Sequence, residues 1–399
     1  MDALMLPSNW QKVRLGDIAE IIGGGTPSTQ ITSFWNGSIN WFTATEIGIT
    51  KYVYKSQRTI TPLGLKKSSA KLLPIGTILL TSRASIGDCA ILKVVATTNQ
   101  DFQSLIPLEK INNEFLYYLI LTLKNKLLKL ASGSIFLGVS PNKIKNLLIP
   151  LPPLNEQIAI ANILSGLDRY LYNLDALILK KESVKKALSF ELLSQRKRLK
   201  GFNQAWQKVR LGTYKYRRGS FPQPYGNPQW YSDNGMPFVQ VYDVGENFKL
   251  TQKTKQKISK IAQPMSVFVP KNSVIITLQG TIGRVALTQY DCYCDRTILI
   301  FDNNTLNDVN KYFFVLSLFT KFEEEKRKAD GSIIKTITKQ TLKDFEILLP
   351  PLDEQIAIAN ILSDLDSEII SLKNKKRQFE NIKKALNHDL MSAKIRVLK

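Results

Sequence analysis

The chain has 399 residues, 44% of them apolar, with 55 lysines and arginines against 33 acidic residues and a single histidine. That length leads us to expect two or more domains with sizeable cores. The net charge of +22 favours a polyanionic partner, and since no apolar stretch approaches membrane-spanning length, nucleic acid is the partner expected.

The N-terminus, Met1 to Asn9, has neither a basic region nor a long apolar run, so no signal peptide is expected. Three cysteines, Cys89, Cys292 and Cys294, form no paired framework and fit a reducing, cytoplasmic location. Cys292 and Cys294 lack a second ligand pair and the one histidine is His388, so no zinc site is expected.

In chain order, Trp10-Gln-Lys-Val-Arg-Leu-Gly16 opens an α/β domain. Gly23 to Ser28 reads as a loop whose glycines permit close backbone approach. Ile39 to Thr45, Gly76 to Thr81 and Cys89 to Val95 read as strands, with a polar turn from Ser82 to Gly87. Phe115 to Leu130 reads as a helix, Ser132 to Ser134 as a turn, and Leu147 to Leu151 as a last strand.

Pro152 to Asp168 then begins a long helix. The prolines suit the position just ahead of it, Asn155 is the expected N-cap, and Glu156 falls in the first turn. Ile160, Leu164, Leu167, Leu171, Leu174 and Ile178 follow at heptad spacing, interrupted by Lys181 and Lys185 and resumed at Leu188 and Leu192. The basic stretch from Leu192 to Phe202 reads as a helix end and linker.

The same order then returns. Pro350 to Asp366 repeats Pro152 to Asp168 with two changes, Asn155/Asp353 and Gly166/Asp364, at an offset of 198 residues. Asp353 is the second expected N-cap, and Ile358, Leu362, Leu365, Ile369 and Leu372 form the second seam, broken by Lys376 and Lys383. Trp206 to Gly212 repeats the opening heptapeptide without change. Ser273 to Thr277, Thr281 to Gly283 and Ala329 to Ile333 match Thr77 to Thr81, Ser85 to Gly87 and Ala131 to Ile135, and between these anchors the copies diverge. The chain is therefore two tandem copies of domain plus helix: a held scaffold with two sets of variable loops, as two readers of different targets would have.

Catalytic chemistry is missing from the sequence. No Gly-x4-Gly-Lys-Ser/Thr phosphate loop is present, and one histidine in the final helix cannot support a Ser-His-Asp arrangement. The Asn/Asp-Pro-Pro-aromatic tetrapeptide of amino-methyltransferases is also absent. Glu324-Glu325-Lys326, a possible nuclease fragment, lies in the run Lys321 to Lys328, which reads as a solvated helix face.

The doubled Leu-Pro-Pro-Leu-x-Glu-Gln-x-x-Ile-Ala-x-x-Leu run at 151–164 and 349–362, the two identical openings, Gly-Thr-Pro-Ser at 25–28 and the Ser/Thr-Ile-Gly turns together carry a resemblance. Over essentially its whole length the chain resembles the specificity (S) subunits of type I restriction–modification systems. That resemblance implies an α/β (α+β) fold of two target recognition domains, at 1–151 and 201–349. It also implies a central conserved helix at 152–200 and a C-terminal one at 350–399 that pair as an antiparallel coiled coil with a pseudo-two-fold internal repeat. It implies a DNA-binding subunit without catalysis, and without a cofactor or metal of its own, that recognises a bipartite asymmetric site. Two methyltransferase subunits using S-adenosylmethionine and restriction subunits using ATP and Mg2+ would join it in the cytoplasm. Ala84, where copy two has Gly280, and Asn99-Gln100 against Asp295-Arg296 depart between the copies.

Two helices of about 40 residues, each about 60 Å long, could pair antiparallel and hold half-sites about one helical turn, ~34 Å, apart. The loops supply the expected DNA contacts: Thr26, Ser28, Thr43, Thr45, Ser82, Arg83 and Gln100 in the first copy, and Gln223, Gln240, Tyr242, Gln279, Thr281, Arg284 and Arg296 in the second. Lys143, Lys335 and Lys339 are phosphate candidates. Ile160, Leu164, Leu167, Leu171, Leu174, Ile358, Leu362, Leu365, Ile369 and Leu372 are the candidates for helix pairing and subunit docking. The competing readings are a coiled-coil scaffold that binds no DNA and a self-contained DNA-modifying enzyme; the charge and divergent polar loops oppose the first, the missing motifs the second.

Overall fold

The computed structural model describes residues 6–131, 137–245, 247–280, 282–328 and 342–398. Contacts gather into two units, Met1–Leu177 with Leu372–Lys399, and Ile178–Ser371. Each unit thus contains one α/β domain together with part of both long helices. The long helices run Leu154–Leu193 and Leu352–Met391, 40 residues each.

In the first unit, Gln11–Arg14 pairs antiparallel with Leu148–Leu151. A five-stranded sheet runs in the order Ala19–Gly23, Gln103–Pro107, Ile78–Leu80, Cys89–Leu92, Tyr52–Val53. A three-stranded sheet has Trp35–Phe42 at its centre, antiparallel to Arg58–Ile60 and parallel to Ala96–Thr98. The strands at 78–80 and 89–92 are buried along their whole length, which is why their sequences are unbroken apolar runs rather than alternating ones. The helix Asn113–Leu130 covers the larger sheet, capped by the Asn112 side chain accepting from Phe115 N at 2.8 Å.

The second unit repeats this plan. Gln207–Arg210 pairs with Glu346–Leu349 in the same register, Gln207 facing Leu349 as Gln11 faces Leu151. Two four-stranded sheets follow, one centred on Val274–Thr277 and Ile298–Phe301, the other on Tyr231–Val239 and Cys292–Cys294. The helix Lys311–Lys328 starts at Asn310, whose side chain accepts from Phe313 N at 3.0 Å. Lys321 pairs with Glu325 at 2.8 Å and Lys326 with Glu323 at 2.8 Å, and Glu324, Lys326 and Arg327 are exposed, so these charges line the outer side of a helix whose Phe322 is buried.

Several sequence expectations shift. Both long helices begin two residues earlier than expected, at Leu154 and Leu352, which places Asn155 and Asp353 inside the first turn rather than at the N-cap. Their anchor is instead the buried glutamine two residues on. Gln157 donates to Pro152 O at 3.0 Å and accepts from Asn112 N at 3.0 Å. Gln355 donates to Pro350 O at 2.8 Å and accepts from Asn310 N at 3.0 Å. One carboxamide therefore joins the start of the long helix to the cap of the domain helix.

The seam is also not uniform. Ile160 and Leu164 lie in the core of the first domain with Phe115, Leu119 and Leu390, and Ile358 and Leu362 in that of the second with Phe313, Leu316 and Leu192. Leu174, Ile178 and Ile369 are buried outside those domain cores, whereas Leu167, Leu171, Leu365 and Leu372 are half-buried. The strand expected at 39–45 spans Trp35–Phe42 and gives way to a single 3-10 turn at Ala44–Glu46. Ser132 to Ser134 and Ala329 to Ile333 lie outside the described residues.

Candidate nucleic-acid interface

The frame that carries the loops is a junction built identically in both units. In the first, Trp10 Nε1 donates to Glu156 Oε2 at 3.1 Å and Arg396 Nε to Glu156 Oε1 at 3.0 Å. In the second, Trp206 Nε1 donates to Glu354 Oε2 at 3.1 Å and Arg198 to the same carboxylate at 2.6 Å. Glu156 and Glu354 are 1% and 0% exposed, and a buried carboxylate is tolerable only when charge-paired and hydrogen-bonded. This explains why Trp-Gln-Lys-Val-Arg-Leu-Gly and Pro-Pro-Leu-x-Glu-Gln return nearly unchanged: each is one wall of the same junction.

One heptad region further along, Lys383 pairs with Asp168, which also accepts from the Tyr118 hydroxyl. In the second unit Lys185 pairs with Asp366, which accepts from the Tyr312 hydroxyl. Lys376–Asp175 at 2.6 Å and Lys181–Glu368 at 2.8 Å add further pairs. The lysines that interrupt the apolar seams are thus ion-paired to the opposite long helix. Their order, 168 with 383 and 175 with 376, 181 with 368 and 185 with 366, shows the helices antiparallel within each unit.

In the first unit a polar cluster joins this junction. Lys51 Nζ donates to Glu114 at 2.7 Å and to Ser165 at 2.8 Å, and Ser165 donates to Glu114 at 2.6 Å. Burial pushes the Glu114 carboxyl up, but hydrogen bonds from Lys51, Ser165 and Tyr52 outweigh it and hold the group at about 2.

The loops gather beside the strand Trp35–Phe42 in the first unit and Tyr231–Val239 in the second. In the first unit Gly24 and Gly25 press on backbone: a Cβ on Gly24 would lie 2.0 Å from Asn99 O, and one on Gly25 2.4 Å from Ala70 N. Trp41 Nε1 donates to Gly25 O at 2.9 Å and Trp35 Nε1 to Ser28 O at 3.0 Å, so two indoles clamp the Gly-Thr-Pro-Ser loop. Thr26, on that loop, donates to the Gln100 Oε1. Thr43 donates to Glu46 at 2.8 Å and lies 3.0 Å from the Thr45 hydroxyl. Ser28, Thr45 and Gln100 are exposed, and Arg83 is exposed on a turn whose next residue, Ala84, has φ 53°.

In the second unit Gln240 N donates to Asp243 at 2.9 Å, closing the matching turn, and the Tyr242 hydroxyl donates to Gln240 Oε1. Lys255 Nζ lies 5.0 Å from the Tyr242 ring. Gln223, Gln279 and Arg296 are exposed. Arg296 stands 5.4 Å from the Tyr225 ring, whose hydroxyl donates to Asp295.

Three expected contacts have other work. Ser82 is 3% exposed and donates to Asp101 O at 3.0 Å, so its hydroxyl braces the turn instead of facing solvent. Arg284 is half-buried and donates to Val244 O at 3.1 Å. Lys143 donates to Leu130 O at 2.9 Å, closing the C-terminus of the domain helix. Thr281, Lys335 and Lys339 lie outside the described residues.

Sequence reasoning missed Arg58, exposed with its guanidinium 3.7 Å from the Trp35 ring. It also missed Arg198 and Arg396. A signal for these two was present, since they stand 198 residues apart, the offset of the repeat.

The doubled domain, the two long helices and the paired sets of polar loops define a class, and comparison with known proteins names it. The type I restriction modification DNA specificity domain matches residues 7–180 and 223–381, and the chain belongs to that family. It is similar to the type I restriction enzyme MjaIX specificity subunit of Methanocaldococcus jannaschii, 28% identical over 98% of this chain and 95% of that protein. Among solved structures, the type I restriction-modification S subunit from M. genitalium has the same fold (TM-score 0.60, 17% identity, 98% of each chain). So has the HsdS subunit from Thermoanaerobacter tengcongensis (TM-score 0.56, 20% identity, 99% of each chain). The chain is a type I specificity subunit, and among the described residues no helix is long and apolar enough to cross a membrane.

Proposed function

We propose that this chain is the DNA-reading, non-catalytic subunit of its system, binding double-stranded DNA at a bipartite, asymmetric site, one half-site per domain. The observation that carries the reading is the contrast inside the repeat. The Trp–Glu–Arg junction is the same in both units, while the loops beside it present Thr26, Thr45 and Gln100 in one and Gln240, Tyr242 and Arg296 in the other. Unlike side chains on like scaffolds read unlike sequences. The net charge of +22 suits the phosphate backbone.

The long helices are the docking surface for two methyltransferase subunits, with restriction subunits completing the assembly. Leu154, Ile158 and Ile163 on one helix, and Leu352 and Ile356 on the other, are exposed apolar residues that support this role. S-adenosylmethionine, ATP and Mg2+ belong to those partners, and the assembly works in the cytoplasm.

Gel shift and methyl transfer, with the pure chain and with its methyltransferase partner, test the reading. We expect no methyl transfer by the chain alone and sequence-specific, S-adenosylmethionine-dependent methylation by the complex. Methylation by the pure chain would make it an enzyme in its own right, and a complex indifferent to DNA sequence would leave it a scaffold.

A further inference from the structure

One turn differs between the units in a way that names bases. In the smaller sheet of the first unit Phe42 pairs in parallel with Thr98, and the next residue, Asn99, donates its N–H to Phe42 O at 3.0 Å. In the second unit Val239 pairs in parallel with Cys294, and Asp295 donates to Val239 O at 3.0 Å. Thr98 thus corresponds to Cys294, Asn99 to Asp295 and Gln100 to Arg296. The two exposed side chains leave the same backbone position in the two units.

That position is rigid in both. Asn99 is 9% exposed and donates to Asp101 at 2.8 Å. Asp295 is 3% exposed and accepts from Thr297 N at 2.9 Å and from its hydroxyl at 2.6 Å. A side chain that must meet a base edge is best held by such a locked neighbour.

We propose that Gln100 and Arg296 are the equivalent base-reading residues of the two domains, Gln100 for adenine and Arg296 for guanine. The inference rests on the DNA-specificity reading above. Thr26 donates to Gln100 Oε1 from a loop clamped by two indoles, which fixes the plane and the sense of the carboxamide. Nε2 is then available to donate to adenine N7, and the second lone pair of Oε1 to accept from adenine N6. Arg296 has no carboxylate partner among the described residues and lies near the Tyr225 ring, whose hydroxyl is tied to Asp295. Its fork of N–H donors is free to take guanine O6 and N7 together. Thr26 and Tyr225 are positioning residues.

The full chain, assembled with its methyltransferase partner, is used to select bound duplexes from a randomised DNA library. The parent, Gln100→Arg, Arg296→Gln and Thr26→Val are compared, after melting curves establish that each variant folds like the parent. Arg296→Gln should lower the guanine preference at one position of one half-site about tenfold or more and leave the other half-site untouched. Gln100→Arg should replace adenine by guanine at one position of the other half-site. Thr26→Val should blur that adenine preference without introducing guanine. If the parent selects a defined sequence and both exchanges retain it with uniformly weaker binding, Gln100 and Arg296 are backbone contacts and the assignment is overturned while the specificity reading stands. If the parent itself selects no sequence, both fall.

Discussion

The two units solve the same junction with different supporting casts. In the second, Asp366 is met by Tyr312 and Lys185, and Lys185 lies 5.5 Å from the Phe248 ring. In the first, Asp168 is met by Tyr118 and Lys383, and a further cluster of Lys51, Glu114, Tyr52 and Ser165 joins them. Tyr312 stands 198 residues after Glu114, so the repeat has put a tyrosine where its twin has a carboxylate. The aspartate–lysine pair is kept and what surrounds it is exchanged. The same division holds for the Glu156 and Glu354 junctions, kept whole, and for the loops, which are not. Residues repeat where a buried charge permits one arrangement and diverge where solvent accepts many.

The comparison predicts matched effects at matched positions. Leu164→Asp and Leu362→Asp should be the most damaging changes, since both side chains are fully buried in domain cores. An unpaired carboxylate there costs about 4 kcal/mol or more, so little folded protein should accumulate. Leu167→Asp and Leu365→Asp, half-buried, should cost less than half as much by urea unfolding. Equal costs for the two pairs would mean the long helices depend on one uniform seam.

Arg198→Ala and Arg396→Ala should each destabilise, by similar amounts and less than the core aspartates, because each leaves a buried glutamate with a tryptophan N–H as its remaining side-chain donor among the described residues. Urea unfolding that shows one variant unaffected would break the equivalence of the junctions. Lys185→Met and Lys383→Met should cost about 1–2 kcal/mol each, since the partner aspartates keep a tyrosine hydroxyl and some solvent.

The smallest effect is confined to the first unit. Glu114 is held at about 2, below its unfolded value. Its contribution is therefore complete above the unfolded value of about 4.3 and is lost as pH falls through about 2. Allowing for solvent screening it is worth about 1 kcal/mol. Glu114→Gln should flatten the fall of melting temperature between those pH values, and an unchanged slope would mean that Lys51, Tyr52 and Ser165 do not hold the carboxylate as described.

Much of this was legible in the sequence for a physical reason. The repeat, the long helices and the domain order follow from periodicity and from near-identical stretches, which local rules can read. The anchoring of the long helices was misread, since Asn155 has the right chemistry for a cap, but a buried Gln157 reaches a donor 45 residues away. Ser82 reads as a polar turn residue, yet the chain passes over it and claims its hydroxyl. Arg58 carries no local signal at all, since its meaning comes from Trp35 across the sheet. Glu156 and Arg396 meet over 240 residues, and only the offset of the repeat hints at it.

The central claim is that the two domains read independently on a shared frame. Its most direct test replaces residues 17–130 with the matching segment of another type I specificity subunit, leaving both long helices and the Trp10–Glu156–Arg396 junction in place. The chimera is assembled with the same methyltransferase partner and its methylated sites are mapped on genomic DNA. One half of the methylated sequence should change and the other half should stay as in the parent. A chimera that alters both halves, or neither, would contradict the account.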